Sequence, residues 1–420
     1  MLRTPHVYTP FGSIRPPSTS WKEASRAMPM NGGVLTLGAY FVNITVGTGS
    51  GARNFNALVD TGSSNTAVPS IGCTTCGPQP QPGYNASASP TSSSLRCNDD
   101  FCQNCRSTSV GSSALPSDFN RSSCLYQPKM CSTEGQCGYG ISYGGSSSAI
   151  SGVISSDTIC LDGSLCAPTF VYEITGQYPA GNLNTGILGL AFPANACNPT
   201  CQPTFMDDLI TAKQLEPQQN LFGMCLTASN GGTLDMGFVD AAKYTGTIQY
   251  TAVVKKHWFN INVKDILLGS QSIGVPSFLY NIRNDAIGAF VDSGTAQVLV
   301  SPYAFQVIQS IFLSKNYSSL PGVKDLFSGN NCANLTPAQV AQYPSMDFVI
   351  EGMDGASDFS VSMTGSNYLM YSGQGSAYCL GIQGVPSVAL ILGDILMENY
   401  YIVFDRVGAR MGFAPVKSCV

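Results

Sequence analysis

The chain has 420 residues, enough for two or three domains of ordinary size, and 44% are hydrophobic, which supports substantial cores. Only 11% are charged, the net charge is −5, and no basic cluster predicts binding to nucleic acid or to an anionic membrane. Because no apolar stretch reaches the length of a membrane-spanning helix, the sequence predicts no membrane anchor.

The chain begins with a stretch rich in Pro and Ser, and residues 1–31 carry four basic side chains against the single acid Glu23. We predict an N-terminal tail over residues 1–33, which as a terminal segment is typical of disorder. No apolar segment of a secretory signal is visible in residues 1–31. We therefore expect that the sequence begins after a signal peptide or that its start is truncated.

From Val34 the pattern becomes strand-like, and a hairpin is predicted from residues 39–46, a Gly-rich turn and residues 55–59. The returning strand leads into Asp60. A carboxylate at the end of a buried strand is costly unless it is hydrogen-bonded. The residues that follow offer donors at once, namely the hydroxyl side chains and the glycine amide of Thr61, Gly62 and Ser63.

A cysteine-rich insert follows over residues 73–137, with eight of the sixteen cysteines. Its Cys-x-x-Cys pairs at 73/76 and 102/105 have the spacing of a zinc knuckle, but only two histidines are present and the cysteines continue to the C-terminus. Disulfides are favoured, although eight cysteines allow 105 pairings and none is assigned here. Five glycosylation sequons agree with a secreted glycoprotein: Asn43, Asn85, Asn120, Asn316 and Asn334.

Two short loops and a helix are predicted before the middle of the chain. Close spacing predicts the disulfides Cys160–Cys166 and Cys197–Cys201. Residues 205–215 have an amphipathic helical pattern, and the following Glu216-Pro217 marks its exit and a domain boundary.

The stretch Ala57-Leu-Val-Asp60-Thr-Gly-Ser-Ser64 has a twin at Ala289-Phe-Val-Asp292-Ser-Gly-Thr-Ala296. An apolar Ile-Leu-Gly segment follows each copy, at residues 187–189 and 391–393. Such a repeat predicts two similar lobes with a site between them. Two carboxylates meeting there share one proton, because neighbouring like charges cannot both ionise, and can activate a water molecule for attack on an amide. The twin's own donors are Ser293, Gly294 and Thr295.

Other candidates are less specific. A helix is predicted over residues 301–313, with Ser301 as N-cap and Pro302 at its first position. Asp394 and Asp405 follow apolar strands without the hydroxyl-Gly-hydroxyl turn, so both are interpreted as structural. His257 belongs to no visible constellation, so no catalytic triad with histidine is predicted.

The segments ALVDTGSSNTAVPS (57–70), TGILGLAF (185–192), 244–269, 289–296 and 391–415 together resemble the pepsin-like aspartic proteases. The resemblance extends from about Val34 to Val420. It implies a mostly β, bilobal fold, with two pseudo-twofold-related, barrel-like lobes at 34–217 and 218–420 and a cleft between them. It further implies an acid endopeptidase with Asp60 and Asp292 as the catalytic pair and no metal or organic cofactor. The partner of such an enzyme would be a polypeptide substrate in an extended conformation. The protein would be a monomer, and it would be secreted or located in the lysosomal or vacuolar lumen.

The same resemblance assigns supporting roles. Thr61 and Ser293 would brace the two turns, while Ser63 and Thr295 would bond the outer carboxylate oxygens. The hairpin at 141–152 corresponds to the family's flap, with Tyr143 closing over substrate and Gly144 beside it. Family members commonly carry a Trp that hydrogen-bonds this Tyr, and Ala67 stands at that position here. Flap closure is therefore expected to differ from that of pepsin.

The resemblance also suggests the disulfides Cys332–Cys379 and Cys225–Cys419, and it relates the insert to nepenthesin-type and plasmepsin V-like enzymes. By analogy with zymogens, an alternative for the N-terminal tail is the remnant of a basic propeptide. An alternative function is a catalytically silent binding or inhibitor protein on the same fold. Such proteins usually lose a catalytic Asp or the flap Tyr, and this chain keeps all three.

Overall fold

The computed structural model describes residues 26–79, 82–97, 99, 102, 132, 135–143, 148–179, 186–197, 201–282, 287–329, 331–373 and 375–419. The first half contains strands β1 Arg26–Gly33, β2 Ala39–Val46, β3 Arg53–Asp60, β4 Thr66–Pro69, β5 Ser93–Ser94, β6 Gly138–Tyr143, β7 Ser148–Leu161, β8 Leu165–Tyr178 and β9 Ile187–Gly189. The middle contains β10 Leu221–Leu226, β11 Gly232–Met236, β12 Gln249–Ala252, β13 Lys255–Lys256, β14 Phe259–Ile261, β15 Val263–Leu268, β16 Gln271–Ser272, β17 Ala289–Val291 and β18 Val298–Val300.

The rest of the chain adds β19 Cys332–Asn334, β20 Met346–Ile350, β21 Phe359–Met363, β22 Leu369–Tyr371, β23 Ala377–Leu380, β24 Ile382–Gly384, β25 Leu390–Leu392, β26 Tyr400–Asp405 and β27 Arg410–Pro415. The α-helices of the described residues are short: Phe205–Thr211, Pro302–Phe312, Val323–Phe327, Pro337–Val340, Gly365–Tyr368 and Asp394–Met397. The fold is therefore mostly β, as predicted.

The two halves contain the same four-strand arrangement. In the first half β3 pairs in parallel with β9, β9 pairs antiparallel with β4, and β4 pairs in parallel with β8. In the second half β17, β25, β18 and β24 repeat these pairings with the same directions. Each Ile-Leu-Gly segment thus lies beside the strand that ends at its own Asp. The duplication seen in the sequence is a duplication of structure, as the bilobal fold requires.

Strand β1 corrects the predicted N-terminal tail. Residues 26–33 were assigned to a tail ending at residue 33, but they form a strand that pairs through residues 26–30 with β11 and through residues 31–33 with β2. Met28 and Met30 are buried in the core. The pairing and this apolar burial together explain why residues 26–33 form a strand. Residues 1–25 lie outside the described part of the chain, as does any propeptide remnant there.

A central sheet connects the two halves. Strand β10 pairs with β11 and β26, β26 pairs with β27, and β27 pairs with β12, while β1 continues the order into the first half. One large hydrophobic core runs through both halves, from Met28 to Phe413. The disulfide Cys225–Cys419 ties β10 to the C-terminal residues over a separation of 194 positions. A bridge that closes so long a loop restricts the unfolded chain strongly.

The structure contains all four disulfides that were assigned from the sequence: Cys160–Cys166, Cys197–Cys201, Cys225–Cys419 and Cys332–Cys379. In the insert, Cys73 is bonded to Cys76 and Cys102 to Cys137. These four cysteines are therefore not zinc ligands. The rest of residues 103–131 lies outside the described residues, including the second cysteine of the 102/105 pair.

Both predicted helices are present. The helix Pro302–Phe312 begins as expected, because the Ser301 hydroxyl accepts the backbone N–H of Ala304 at 3.3 Å. The helix that begins at Phe205 ends at Thr211 rather than at residue 215. Lys213 adopts a left-handed φ of 58°, which a continuing α-helix does not allow.

Candidate active site

The two Asp turns, residues 60–63 and 292–295, lie against each other. A Cβ atom on Gly62 would lie 2.5 Å from Oδ1 of Asp292, and a Cβ atom on Gly294 would lie 2.5 Å from Oδ1 of Asp60. Only glycine fits at either position, since real Cβ contacts are longer than this. Each turn therefore packs its glycine against the carboxylate of the other turn, which brings Asp60 and Asp292 into one site.

Each carboxylate is held by its own turn through the same two donors. Oδ1 of Asp60 accepts the Gly62 amide at 2.8 Å, and its Oδ2 accepts the Ser63 hydroxyl at 2.5 Å. Oδ1 of Asp292 accepts the Gly294 amide at 2.8 Å, and its Oδ2 accepts the Thr295 hydroxyl at 2.6 Å. The hydrogen bonds fix both carboxylates in matched orientations.

Thr61 and Ser293 connect the turns across the interface between the halves. The Thr61 hydroxyl donates to the Val291 carbonyl at 3.1 Å and accepts the Ser293 amide at 3.0 Å. In return, the Ser293 hydroxyl donates to the Val59 carbonyl at 2.7 Å and accepts the Thr61 amide at 3.2 Å. Both side chains are fully buried. Four reciprocal hydrogen bonds thus lock the two Asp strands together.

The electrostatics follow from burial. Asp60 and Asp292 are only 5% and 7% exposed. Burial is the largest cause that raises the pKa of each carboxyl, and for Asp60 the neighbouring charge of Asp292 adds to it. The turn donors Ser63, Gly62, Thr295 and Gly294 oppose the rise, because they stabilise the ionised form. Both carboxyls therefore bind a proton more tightly than an exposed Asp does.

The hairpin predicted as the flap is formed by β6 and β7, which pair antiparallel up to Tyr143 and Ser148. Gly144 lies outside the described residues. The Tyr143 hydroxyl is buried without a hydrogen-bond partner, and burial and then the charge of Asp60 raise its pKa. Tyr143 therefore lies near enough to Asp60 for the two side chains to interact electrostatically.

Ala67, where the resemblance led us to expect a Trp, is fully buried in a second hydrophobic cluster beneath this hairpin. Tyr172 is paired in register with Ala67, and the ring of Tyr139 meets the ring of Tyr172 edge-on at 4.9 Å. Tyr143 packs against the same cluster. Phenol rings from β6 and β8 thus occupy the space beside the small Ala67 side chain.

Two neighbours of the pair were not identified from the sequence. Asp394 was interpreted as structural, and its place beside the pair was not predicted. It is buried with both carboxyl oxygens unpartnered, and burial and then the charges of Asp292, Glu398 and Asp60 raise its pKa. Its only sequence signal is its place directly after the second Ile-Leu-Gly segment. Trp258 donates its indole N–H to the Gly62 carbonyl at 2.7 Å.

His257, the neighbour of Trp258, takes no part in hydrogen bonding with the pair within the described residues. Burial and nearby Lys255 lower its pKa to about 4. Among the same residues no group of three or more His, Cys, Asp or Glu side chains is placed to hold a metal ion. None of the helices described is long and apolar enough to cross a membrane.

Comparison with known proteins identifies the class. A family model for eukaryotic aspartyl protease matches residues 39–101 and 106–416. The chain therefore belongs to this family and is an enzyme of the aspartic endopeptidase type.

The individual relatives are distant in sequence, but the aligned regions cover most of the length of each relative. Penicillopepsin-1 of Penicillium janthinellum is 30% identical over 73% of this chain and 87% of its own. Cathepsin E of Aquarana catesbeiana is 28% identical over 90% of this chain and 79% of its own, and human gastricsin is 27% identical over 90% and 81%. The similarity thus spans both lobes.

Proposed function

We propose that the protein hydrolyses peptide bonds at acid pH with a water molecule activated between Asp60 and Asp292. The observation that carries this proposal is the reciprocal packing of each turn's glycine against the opposite carboxylate. Two neighbouring carboxylates hold a single proton between them, so one acts as a base while the other acts as an acid.

In the proposed reaction the ionised carboxylate removes a proton from the bound water as its oxygen attacks the carbonyl carbon of the scissile amide. The protonated carboxyl donates its proton to the carbonyl oxygen, and a tetrahedral diol forms. When the diol collapses, the C–N bond breaks and the leaving nitrogen receives a proton from the pair. Either Asp can carry the starting proton, because the titration belongs to the pair.

The remaining groups of the two turns position these carboxylates. Ser63 and Thr295 hold the outer oxygens and the glycine amides hold the inner ones, so each carboxylate has one orientation. The cross-links of Thr61 and Ser293 prevent the two lobes from separating at this point. Preorganised groups of this kind lower the barrier because they need no rearrangement during the reaction.

The substrate is proposed to be an extended polypeptide lying between the lobes and covered by the hairpin at 141–152, with Tyr143 facing the reacting region. The two lobes are proposed to divide near Glu216-Pro217, the first including β1 and the second running from 218 to 420. Six disulfides among the described residues favour an oxidising compartment, outside the cell or in an acidic lumen.

The pH dependence follows from the titration of the pair. At very low pH both are protonated and no base is available. At high pH both are ionised, and the acid that protonates the carbonyl oxygen is lost. Activity is therefore expected to rise and then fall with pH, as a bell.

The test is cleavage of denatured globin at about pH 3–5, with and without a statine peptide that mimics the transition state. The wild type should cleave and the statine peptide should inhibit it, whereas Asp60→Asn and Asp292→Asn should not cleave. The matched control is Asp162→Asn, an exposed acid in the β7–β8 turn whose left-handed φ of 46° Asn tolerates. A wild type without statine-sensitive cleavage would instead support the binding-protein alternative.

A further inference from the structure

The proposed function leaves unexplained a hydrogen bond that reaches the first Asp turn from the opposite lobe. We propose that Trp258 is a positioning residue that couples the two Asp turns and orients Ser63 on the Asp60 carboxylate. This inference rests on the proposed function and adds to it a residue that does not touch the reacting atoms.

Trp258 contacts both turns at once. Its indole N–H donates to the Gly62 carbonyl at 2.7 Å. Its ring stacks on Phe290 with centroids 5.1 Å apart and planes 17° apart. Phe290 lies on β17, two residues before Asp292. One side chain of the second lobe thus packs on the strand that carries Asp292 and bonds the turn that carries Asp60.

A second donor converges on the same carbonyl. The side-chain amide of Asn195, from the first lobe, donates to the Gly62 oxygen at 3.1 Å. Both lone pairs of the carbonyl are therefore used, one by each lobe. Among the described residues, no side chain donates a hydrogen bond to the equivalent Gly294 carbonyl. The two turns are alike internally, but among the described residues side chains donate only to the glycine carbonyl of the first.

The consequence for chemistry runs through the peptide bond. The Gly62 carbonyl belongs to the peptide unit that joins Gly62 to Ser63, so fixing its oxygen fixes the plane from which the Ser63 side chain extends. The Ser63 hydroxyl in turn donates to Oδ2 of Asp60 at 2.5 Å. When Trp258 no longer holds the carbonyl, Ser63 gains freedom and its bond to the ionised Asp60 weakens.

The direct test is Trp258→Phe, which removes the indole donor while keeping an aromatic ring against Phe290. We expect kcat to fall about 10-fold, as for loss of one well-placed hydrogen bond, with KM changed less than about 2-fold. A weaker Ser63 bond stabilises ionised Asp60 less. The acid limb of the kcat/KM profile should therefore move to higher pH.

A double-mutant cycle with Ser63→Ala tests the route. If Trp258 acts through Ser63, Trp258→Phe should shift the acid limb in the wild type and not in the Ser63→Ala variant. The matched control is Tyr343→Phe, which also deletes one side-chain donor to a backbone carbonyl, that of Pro321 at 2.6 Å, away from the site. This variant should lose stability without a shift of either limb.

A readout independent of catalysis separates the two proposals. The sequence contains two tryptophans, Trp21 and Trp258. The indole N–H signal that disappears from the NMR spectrum in Trp258→Phe is therefore that of Trp258. This signal should exchange slowly with deuterated solvent, and Asn195→Leu, which removes the other donor to the same oxygen, should alter its position.

Slow exchange in a protein without cleavage would retain the hydrogen bond and reject the proposed function. Fast exchange of this signal, or equal acid-limb shifts in the wild type and in Ser63→Ala, would overturn the role of Trp258.

Discussion

The two Asp turns are the most informative comparison within this molecule. Inside each turn the carboxylate accepts one glycine amide and one hydroxyl. The amide bonds are 2.8 Å long in both turns, and the hydroxyl bonds are 2.5 Å in the first turn and 2.6 Å in the second. The side chains that surround the two turns differ. Duplication thus preserved the groups that hold the charges, and the surroundings diverged.

The surroundings differ in kind. The first turn is held from outside by Trp258 and Asn195 through the Gly62 carbonyl. Beside the second turn lies the buried acid Asp394, whereas Leu190 follows the corresponding Ile-Leu-Gly segment of the first half. The two carboxylates thus have equal hydrogen-bond partners but unequal environments.

The largest effect is expected from removing either carboxylate. Asp60→Asn and Asp292→Asn should each lower kcat by at least about 1,000-fold, and the double variant should be no worse than either single one, since the pair acts as a unit. Cleavage rates of the three purified variants check this. Measurable activity of one single variant but not the other would show that the two carboxylates are not equivalent partners.

The next effect concerns the cross-links between the lobes. Thr61→Val should lower the free energy of unfolding by about 2–4 kcal/mol, because it deletes a buried donor and leaves the Ser293 amide without its acceptor. Ser293→Ala should cost about the same for the mirrored reason. Denaturant unfolding measures both, and Thr61→Ser, which keeps the hydroxyl, is the control. Unequal losses would mean that one lobe supplies most of the link.

A smaller effect is expected from the outer-oxygen donors. Ser63→Ala and Thr295→Val should each reduce kcat by about 10-fold, the cost of one charge-assisted hydrogen bond. Both hydroxyls lower the pKa of their carboxyl, so their loss should move the acid limb to higher pH. The pH profile of kcat/KM checks this. Movement of the acid limb to lower pH would contradict the assigned donors.

Asp208 should affect stability but not activity. Burial raises the pKa of Asp208 from an ordinary value of 3.8 to about 7, and the Thr169 hydroxyl that donates to it opposes the rise. The folded state then binds this proton more tightly than the unfolded state. The contribution of protonated Asp208 to the free energy of unfolding is fully present below pH 3.8 and is lost as the pH rises through about 7.

Asp208→Asn should remove this loss, raising the free energy of unfolding near neutral pH by about 2–4 kcal/mol relative to the wild type and little in acid. Thermal melting at several pH values measures it. The comparison variant is Asp405→Asn, whose acid instead accepts Arg410 at 2.8 Å and the Gly408 amide at 2.7 Å, so its replacement should destabilise. A melting temperature of Asp208→Asn that parallels the wild type across pH would refute the buried neutral acid.

The sequence predicted those parts of the site that are local and repeated. Each Asp precedes its own hydroxyl and glycine donors, so short-range reasoning sufficed for residues 60–63 and 292–295. The Ile-Leu-Gly segments were recognised because they also occur twice. Helix Pro302–Phe312 was predicted because its N-cap and proline are adjacent in sequence.

The parts that escaped prediction depend on distant partners. Strand β1 contains Pro29, Gly32 and Gly33, and its pairing partners begin beyond residue 230 on one side, so its buried methionines carried the only signal. Trp258 and Asp394 lie far in sequence from the turns they affect. No local rule connects an indole to a carbonyl 196 positions away.

The proposed mechanism requires Asp60 and Asp292 to share one proton between them. A joint neutron and X-ray crystal structure of the deuterium-exchanged enzyme, taken at a pH where it cleaves, tests this most directly. We predict a single deuterium between the two carboxyl groups, with Ser63 and Thr295 donating to the outer oxygens. Two ionised carboxylates, or carboxyl groups too far apart to share a bound water, would contradict the account.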